Sequence, residues 1–282
     1  MIPAAFDYRR ATSLDDALAA IADGDAKVLA GGMSLLPLMK LRLAAPGTLV
    51  DIGRLTELKG ARPTPDGGFE IGALTTYAEA LEATQLDFAA ECIRGIGDIQ
   101  VRNRGTVGGA IAHADPASDL PALGLALDYE VVLRSKRGER VVPLDGFLQG
   151  AFTTEIADDE ILTSLRRGPL PAGAGGSYQK LEHPASGYSI VGVCAVVASS
   201  GGSVTHARVA LTGVGDVAYR AKAVEQALMG SDGSPPAVAA AAEHATDGQT
   251  VNTDIHADRN YRARMAVVYT RRAVDAALGR SA

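Results

Sequence analysis

The spacing of apolar residues changes character along the chain. Near its start Leu14, Ala17, Leu18 and Ile21 recur at helical intervals behind Ser13, a residue type that caps helix N-termini, so a helix is predicted over 14–22, ended by Gly24. Lys27 to Ala30 reads as a short buried strand running into Gly31-Gly32, Leu35 to Arg42 as an apolar helix, and Thr48 to Ile52 as a second strand. This is a βαβ-like unit with a glycine turn at its switch.

From Leu55 the pattern turns to short strands and turns. Asp66-Gly67-Gly68 signals a hairpin before a strand at Phe69 to Ile71, and a helix is expected from Tyr77. A helix over Leu120 to Leu127 is followed by a strand from Tyr129 to Ser135, which turns at Lys136-Arg137-Gly138 into Val141-Val142. Arg167 to Gly176 has the glycine and proline content of a linker. Beyond it Ser189 to Ser199 and Ser203 to Val214 read as partner strands, with helices over Ala218 to Met229 and Tyr261 to Leu278. The predicted organisation is α+β in three parts: subdomains over 1–55 and 56–172, and a closing domain of antiparallel sheet and helices over 173–282.

Composition narrows the function classes. With 282 residues, 47% of them apolar, the chain can bury sizeable cores. A net charge of −6 and the lack of a basic run exclude a nucleic-acid footprint. The opening Met1-Ile2-Pro3-Ala4-Ala5-Phe6-Asp7 lacks the charged head and apolar stretch of a signal peptide, and no apolar segment has transmembrane length, so a cytoplasmic protein is expected. Cys92 and Cys194 are the only cysteines and lie far apart, which argues against a disulfide framework, a zinc site or an iron-sulfur cluster. A metal, if one is used, belongs to a partner.

Two glycine pairs carry the candidate chemistry. Val28-Leu29-Ala30-Gly31-Gly32-Met33-Ser34 sits between a predicted strand and helix, where converging amides and a helix N-terminus favour an anion, and Ser34 can add a hydroxyl. A Gly-Gly pair alone is equally a tight turn, and this one lacks both the GxGxxG spacing and a Walker lysine. The second pair, Gly108-Gly109, lies with Thr106, His113, Asp115, Pro116, Ser118 and Asp119, mixing an amide cradle with groups suited to sugar hydroxyls. Asp115 and Ser118 also fit a cap for the helix near Leu120, with Pro116 in its first turn; both readings stand. Two such loops point to a diphosphate held from both sides.

Other polar residues add less. His113 has no nucleophile or second histidine at useful spacing and reads as a loop-fixing hydrogen bonder. Asp158-Asp159-Glu160 reads as a solvated turn. Tyr178 to Tyr188 places Lys180 and two tyrosines near a flexible segment, where a ring could cover a flat cofactor.

The stretch Ala30-Gly31-Gly32-Met33-Ser34-Leu35-Leu36-Pro37-Leu38-Met39-Lys40-Leu41-Arg42, together with Arg102-Asn103-Arg104-Gly105-Thr106-Val107-Gly108-Gly109 through Asp119, resembles the FAD-binding medium subunits of molybdenum hydroxylases, the xanthine dehydrogenase family. The nearest likeness is to the carbon monoxide dehydrogenase type, and it extends over nearly the whole chain.

This resemblance implies a two-subdomain FAD-binding domain of the vanillyl-alcohol-oxidase (PCMH) type with FAD between the halves, then a small α+β domain. It implies that Leu29, Ala30 and the run Gly31, Gly32, Met33, Ser34 and Leu35 cradle the pyrophosphate, with Thr106, Gly108 and Gly109 meeting it from the other half. Asp119 would bind the sugar-like chain, with Asp115 beside it; Ile96, Leu162 and Lys180 fall at flavin contacts, and Tyr188 near the isoalloxazine. Ala110 stands where the family often has Asn or Ser, and Glu182-His183 and Gly187 replace a basic pair and an acidic residue. The cysteine loop of members that carry an additional iron-sulfur cluster is missing.

By the same resemblance no catalytic residue and no metal belong to this chain. A large subunit holds the molybdenum cofactor, a small subunit two [2Fe-2S] clusters, and FAD passes electrons to an acceptor such as quinone or NAD. A dimer of heterotrimers is implied, in the cytoplasm or attached through the complex to the inner face of the membrane. Carbon monoxide, a purine or an N-heteroaromatic are the substrate classes implied; a self-contained flavin oxidoreductase and a nucleotide-binding scaffold are the other readings.

Overall fold

The computed structural model describes residues 2–22 and 24–281. The first unit is a three-stranded parallel sheet in the order β1 (Asp7–Arg10), β3 (Thr48–Asp51), β2 (Ala26–Leu29). Helix α1 (Leu14–Ile21) begins where predicted: the Ser13 hydroxyl accepts a hydrogen bond from the Asp16 amide, and Ala17, Leu18 and Ile21 are buried against Val50 and Ile52. Helix α2 (Leu35–Lys40) follows the glycine turn and joins β2 to β3, so the βαβ reading holds. It stops short of Arg42, whose left-handed φ of 60° is incompatible with a continuing helix.

The second unit is a five-stranded antiparallel sheet, β4 (Ala61–Pro63), β5 (Phe69–Gly72), β10 (Ile161–Arg167), β6 (Glu130–Ser135) and β7 (Gly138–Pro143), in that spatial order. Its helices are α3 (Tyr77–Ala83), α4 (Asp87–Arg94), α5 (Ile99–Arg102), α6 (Val107–His113) and α7 (Asp119–Ala126). One-turn α8 (Leu144–Phe147) and the hairpin β8 (Leu148–Gly150) and β9 (Thr153–Thr154) complete it.

The third unit is the antiparallel sheet β11 (Gly175–Glu182), β12 (Ser189–Ser200), β13 (Ser203–Thr212) and β14 (Tyr219–Arg220), covered by α9 (Lys222–Leu228), α10 (Pro235–Ala242) and α11 (Arg259–Leu278). Strand β12 is apolar from Ile190 to Ala198 because both faces are covered there. Val191, Val193, Ala195 and Val197 join the core beneath α11, while Cys194 and Val196 join the core of the second unit. Helix α7 lies between the second and third units with all eight residues buried.

Several sequence expectations require correction. The helix expected over 218–229 is a strand followed by α9, because the Ala221 amide donates to the Val209 carbonyl and the Tyr219 hydroxyl to that of Ala245. The presumed linker ends in strand: Gly175 and Gly176 pair with Val197 and Val196, and Tyr178 and Lys180 continue that strand instead of lying in a flexible segment. The second glycine segment is the start of helix α6 and not a loop. The acidic turn is not fully solvated. Glu160 is buried, and Arg140 grips its carboxylate through Nε at 2.8 Å and Nη2 at 2.9 Å, which together with the Ala157 amide holds its pKa below the usual value.

Candidate cofactor site

Strand β2 ends at the turn that carries Gly31 and Gly32. Gly32 has φ of 79°, open to glycine and strained for other residues, and this reversal leaves a row of amides unpaired. The N–H groups of Gly31, Gly32, Met33, Ser34 and Leu35 find no acceptor among the described residues, and the Ser34 side chain makes no capping bond. Unpaired amides in succession at a turn before a helix form an anion-binding concavity.

The second segment behaves differently. The Val107 amide donates to Thr75 O at 2.9 Å, Gly108 to Ala73 O at 2.9 Å, Gly109 to Thr106 Oγ1 at 3.2 Å and Ala110 to Thr106 O at 3.0 Å. The expected convergence of amides on an anion is therefore absent here, because helix capping and the Ala73 and Thr75 carbonyls use them all. What Gly108 provides is close packing on Ala73. Thr106 keeps its O–H available as a donor.

The two segments do touch. A Cβ placed on Gly31 would lie 1.9 Å from the Arg104 carbonyl oxygen, so the turn of the first unit rests on the backbone that enters α6. Together they line a cleft of about 600 Å3 that includes Ala30, Gly31, Arg104 and Thr106. Four cations, Arg10, Arg54, Lys59 and Arg104, line it too, and none of the four forms an ion pair among the described residues. Two of its three carboxylates are engaged, Asp51 with Gly53 N and the Tyr8 hydroxyl and Glu79 in a capping box with Thr76, while Glu82 has no side-chain partner among the described residues. Four unpaired cations beside the Gly31 end of an unpaired amide row fit a diphosphate. The sequence reading missed Arg10, Arg54 and Lys59, which are scattered in sequence and become neighbours only through the fold.

A second polar centre lies where α7 meets β11 and β12. Asp119 is 4% exposed; its Oδ1 accepts from Tyr178 Oη at 2.5 Å and Ser189 Oγ at 2.7 Å, and its Oδ2 from Lys180 Nζ at 3.0 Å. Burial raises the Asp119 pKa, while Lys180 and the two hydroxyls oppose that shift. Burial, then the Asp119 charge, drives the Tyr178 phenol well up, so it remains a donor. Lys180 Nζ also donates to Gly95 O at 2.9 Å, next to Ile96, which packs at the edge of the core. One lone-pair position on Oδ2 is all that Asp119 retains for a further partner.

Tyr77 connects the two centres. Its ring abuts Gly105, and its hydroxyl pKa is raised by burial first, then by Tyr188, Asp119 and Asp115 in turn. Tyr188 itself is half-exposed in a turn closed by the His183 amide donating to Tyr188 O at 2.8 Å. The remaining expectations divide. Asp115 Oδ1 accepts from the Ala117 amide at 2.9 Å, and Pro116 lies before α7, not in its first turn; Ser118 makes no cap bond. Leu162 is sunk in the core of the second unit and lines no part of the cleft. Burial lowers the pKa of His113, whose ring packs 5.0 Å from Phe152.

Residues 4–167 match the family described as the FAD binding domain in molybdopterin dehydrogenase, and residues 176–277 the CO dehydrogenase flavoprotein C-terminal domain. The chain belongs to this family of molybdopterin dehydrogenase flavin subunits. The carbon monoxide dehydrogenase medium chain of Hydrogenophaga pseudoflava is 38% identical over 288 residues, with 100% of each chain covered. A 6-hydroxypseudooxynicotine dehydrogenase complex subunit alpha from Paenarthrobacter nicotinovorans is 36% identical, covering 100% of this chain and 97% of the relative. The solved carbon monoxide dehydrogenase of Hydrogenophaga pseudoflava, in a form lacking the Mo-pyranopterin moiety of its cofactor, superposes with a TM-score of 0.96 at 41% identity over 100% of both chains. The fold and the FAD-binding class of this flavin subunit are thereby established, and among the described residues no helix is long and apolar enough to cross a membrane.

Proposed function

We propose that this chain is the FAD-binding medium subunit of a molybdenum-containing hydroxylase of the carbon monoxide dehydrogenase type. It would assemble with a large molybdenum-cofactor subunit and a small subunit carrying two [2Fe-2S] clusters, as a dimer of heterotrimers in the cytoplasm or at the inner membrane face. The observation that carries the reading is the unpaired amide row that starts at Gly31, where it meets a cleft lined by four cations without ion pairs among the described residues.

The chemistry that FAD would supply when bound is electron transfer from the partner's clusters to an external acceptor such as quinone or NAD. The chain's own residues position it. The amides of Gly31 to Leu35, the Ser34 and Thr106 hydroxyls and the cleft cations would hold the diphosphate, with Leu29 and Ala30 as the wall before the turn. Gly109 would contribute a side-chain-free approach and no donor, and Gly108 would serve by packing α6 close on Ala73. Lys180, fixed by Asp119 and Gly95 O next to Ile96, would present a charge to the flavin, and the half-exposed Tyr188 would offer it a ring. Asp115 and the free position on Asp119 Oδ2 would accept from sugar-chain hydroxyls.

The relative that acts on 6-hydroxypseudooxynicotine matches at nearly the same identity as the carbon monoxide dehydrogenase medium chain, so an N-heteroaromatic dehydrogenase is the second reading. The test is purification of the intact complex, with flavin, iron and molybdenum quantified and turnover assayed on carbon monoxide, a purine and an N-heteroaromatic. Flavin co-purifying with both metals, and turnover of carbon monoxide, is the expected result. A complex without flavin absorbance would overturn it.

A further inference from the structure

The second unit contains a cavity that the cofactor reading does not use. Between its sheet and helices α3, α4, α6 and α7 lies a space of about 150 Å3 walled by Ile93, Ile111, Leu120 and Leu123. No candidate cofactor residue lines it. Protein interiors are packed as densely as organic crystals, and a dry apolar cavity of about 150 Å3 is large enough to take up benzene.

One wall is polar. Arg167 closes the end of β10 against Phe69, with the guanidinium carbon 5.7 Å from that ring's centre. Its Nη1 donates to Gly168 O at 2.9 Å, while its Nε is buried and finds no acceptor among the described residues. Arg167 also forms no ion pair among them. The Tyr129 hydroxyl stands beside the same guanidinium, whose charge and hydrogen bonding oppose the rise that burial imposes on its pKa. A buried donor without a partner is costly, and the Nε–Nη2 edge of an arginine is the fork that a carboxylate fills with two parallel hydrogen bonds.

An apolar space and an unsatisfied Nε thus coincide. We propose that this cavity binds a single-ring aromatic monocarboxylate, its ring among Ile93, Ile111 and Leu123 and its carboxylate on Nε and Nη2 of Arg167. A single ring matches the volume, and a ligand without an acceptor leaves Nε unpaired. Such a ligand would pack on Val107 and Leu120, the residues that follow Thr106 and Asp119. The site is therefore placed to act on both helices that bear candidate cofactor residues.

The test uses the purified complex, with benzoate and benzyl alcohol as calorimetric probes. Benzoate should bind saturably, one per copy of this chain, and more tightly than benzyl alcohol. Arg167→Gln should weaken benzoate at least roughly tenfold, the loss of a bidentate charged pair, while leaving benzyl alcohol unchanged. Leu123→Phe, which fills the cavity, should abolish both. Unchanged flavin content and melting temperature establish that each variant is folded; if Leu123→Phe is not, Arg167→Gln decides alone. Absence of saturable benzoate binding to the wild type, or binding that Arg167→Gln leaves unaltered, as for a site on a partner subunit, would overturn the proposal.

Discussion

Gly31 and Arg104 are in contact across the two N-terminal units, so closely that a methyl group on Gly31 would lie 1.9 Å from the Arg104 carbonyl oxygen. Seventy-three positions apart by number, they close one wall of the candidate diphosphate cleft. The contact joins a turn whose amides are free to a helix start whose amides are all used. The two halves are therefore unequal: the first supplies amide donors with Arg10 and Arg54, and the second supplies a wall, a hydroxyl, Lys59 and Arg104.

The cleft cations lead to a prediction about affinity. Arg54→Gln and Lys59→Gln should each weaken FAD binding by about 1 kcal/mol, roughly fivefold, as expected of exposed charges. Raising ionic strength should reduce wild-type affinity more than that of the double variant, because screening acts on charges already removed there. Fluorescence titration of the flavin-depleted complex with FAD at two salt concentrations checks both effects.

The buried Asp119–Lys180 pair makes a stability prediction. Lys180→Met leaves a desolvated carboxylate without its cation and should cost about 3–5 kcal/mol, whereas Tyr178→Phe removes one hydroxyl bond to that carboxylate and should cost about 1.5–3 kcal/mol. Denaturant unfolding of the complex, followed at the flavin and by far-UV signal, measures both. Equal costs would show that Tyr178 and Lys180 do not act on Asp119 as the distances imply.

Acid stability follows from Glu160. Arg140 holds its carboxyl below the ordinary 4.5 in the folded chain, so the unfolded chain takes up the proton first as pH falls. The stabilisation is fully present above pH 4.5 and is lost as pH drops through the lower folded value. Glu160→Gln should be less stable at neutral pH, with a flatter profile below 4.5. Melting curves between neutral and acidic pH check the slope.

Much of the fold was legible because its local signals agree with its packing. Ser13 both looks like a cap and is one; the apolar run in β12 reads as a buried strand because α11 covers one face and α7 the other. Where tertiary pairing decides, the sequence misled. Ala221 and Tyr219 look helical but answer to Val209 and Ala245, and Tyr178 and Lys180 become strand only through pairing with β12.

The candidate site shows the same division. The Gly31-Gly32 turn could be read from spacing, since its chemistry is local backbone. The engagement of the amides from Val107 to Ala110 could not, because Ala73 and Thr75 take two of them from another element. Arg10, Arg54 and Lys59 carry no motif, and only the fold makes them a cationic lining.

The most direct measurement is the flavin-to-iron ratio of the purified complex with wild-type chain and with Gly31→Val or Gly32→Val. The first substitution drives a side chain into the Arg104 backbone, and the second strains a turn at φ of 79°. Wild type should carry one FAD per copy of this chain, and each variant should lose flavin while keeping the partner's iron. Full flavin in both variants, or none in the wild type, would contradict the account.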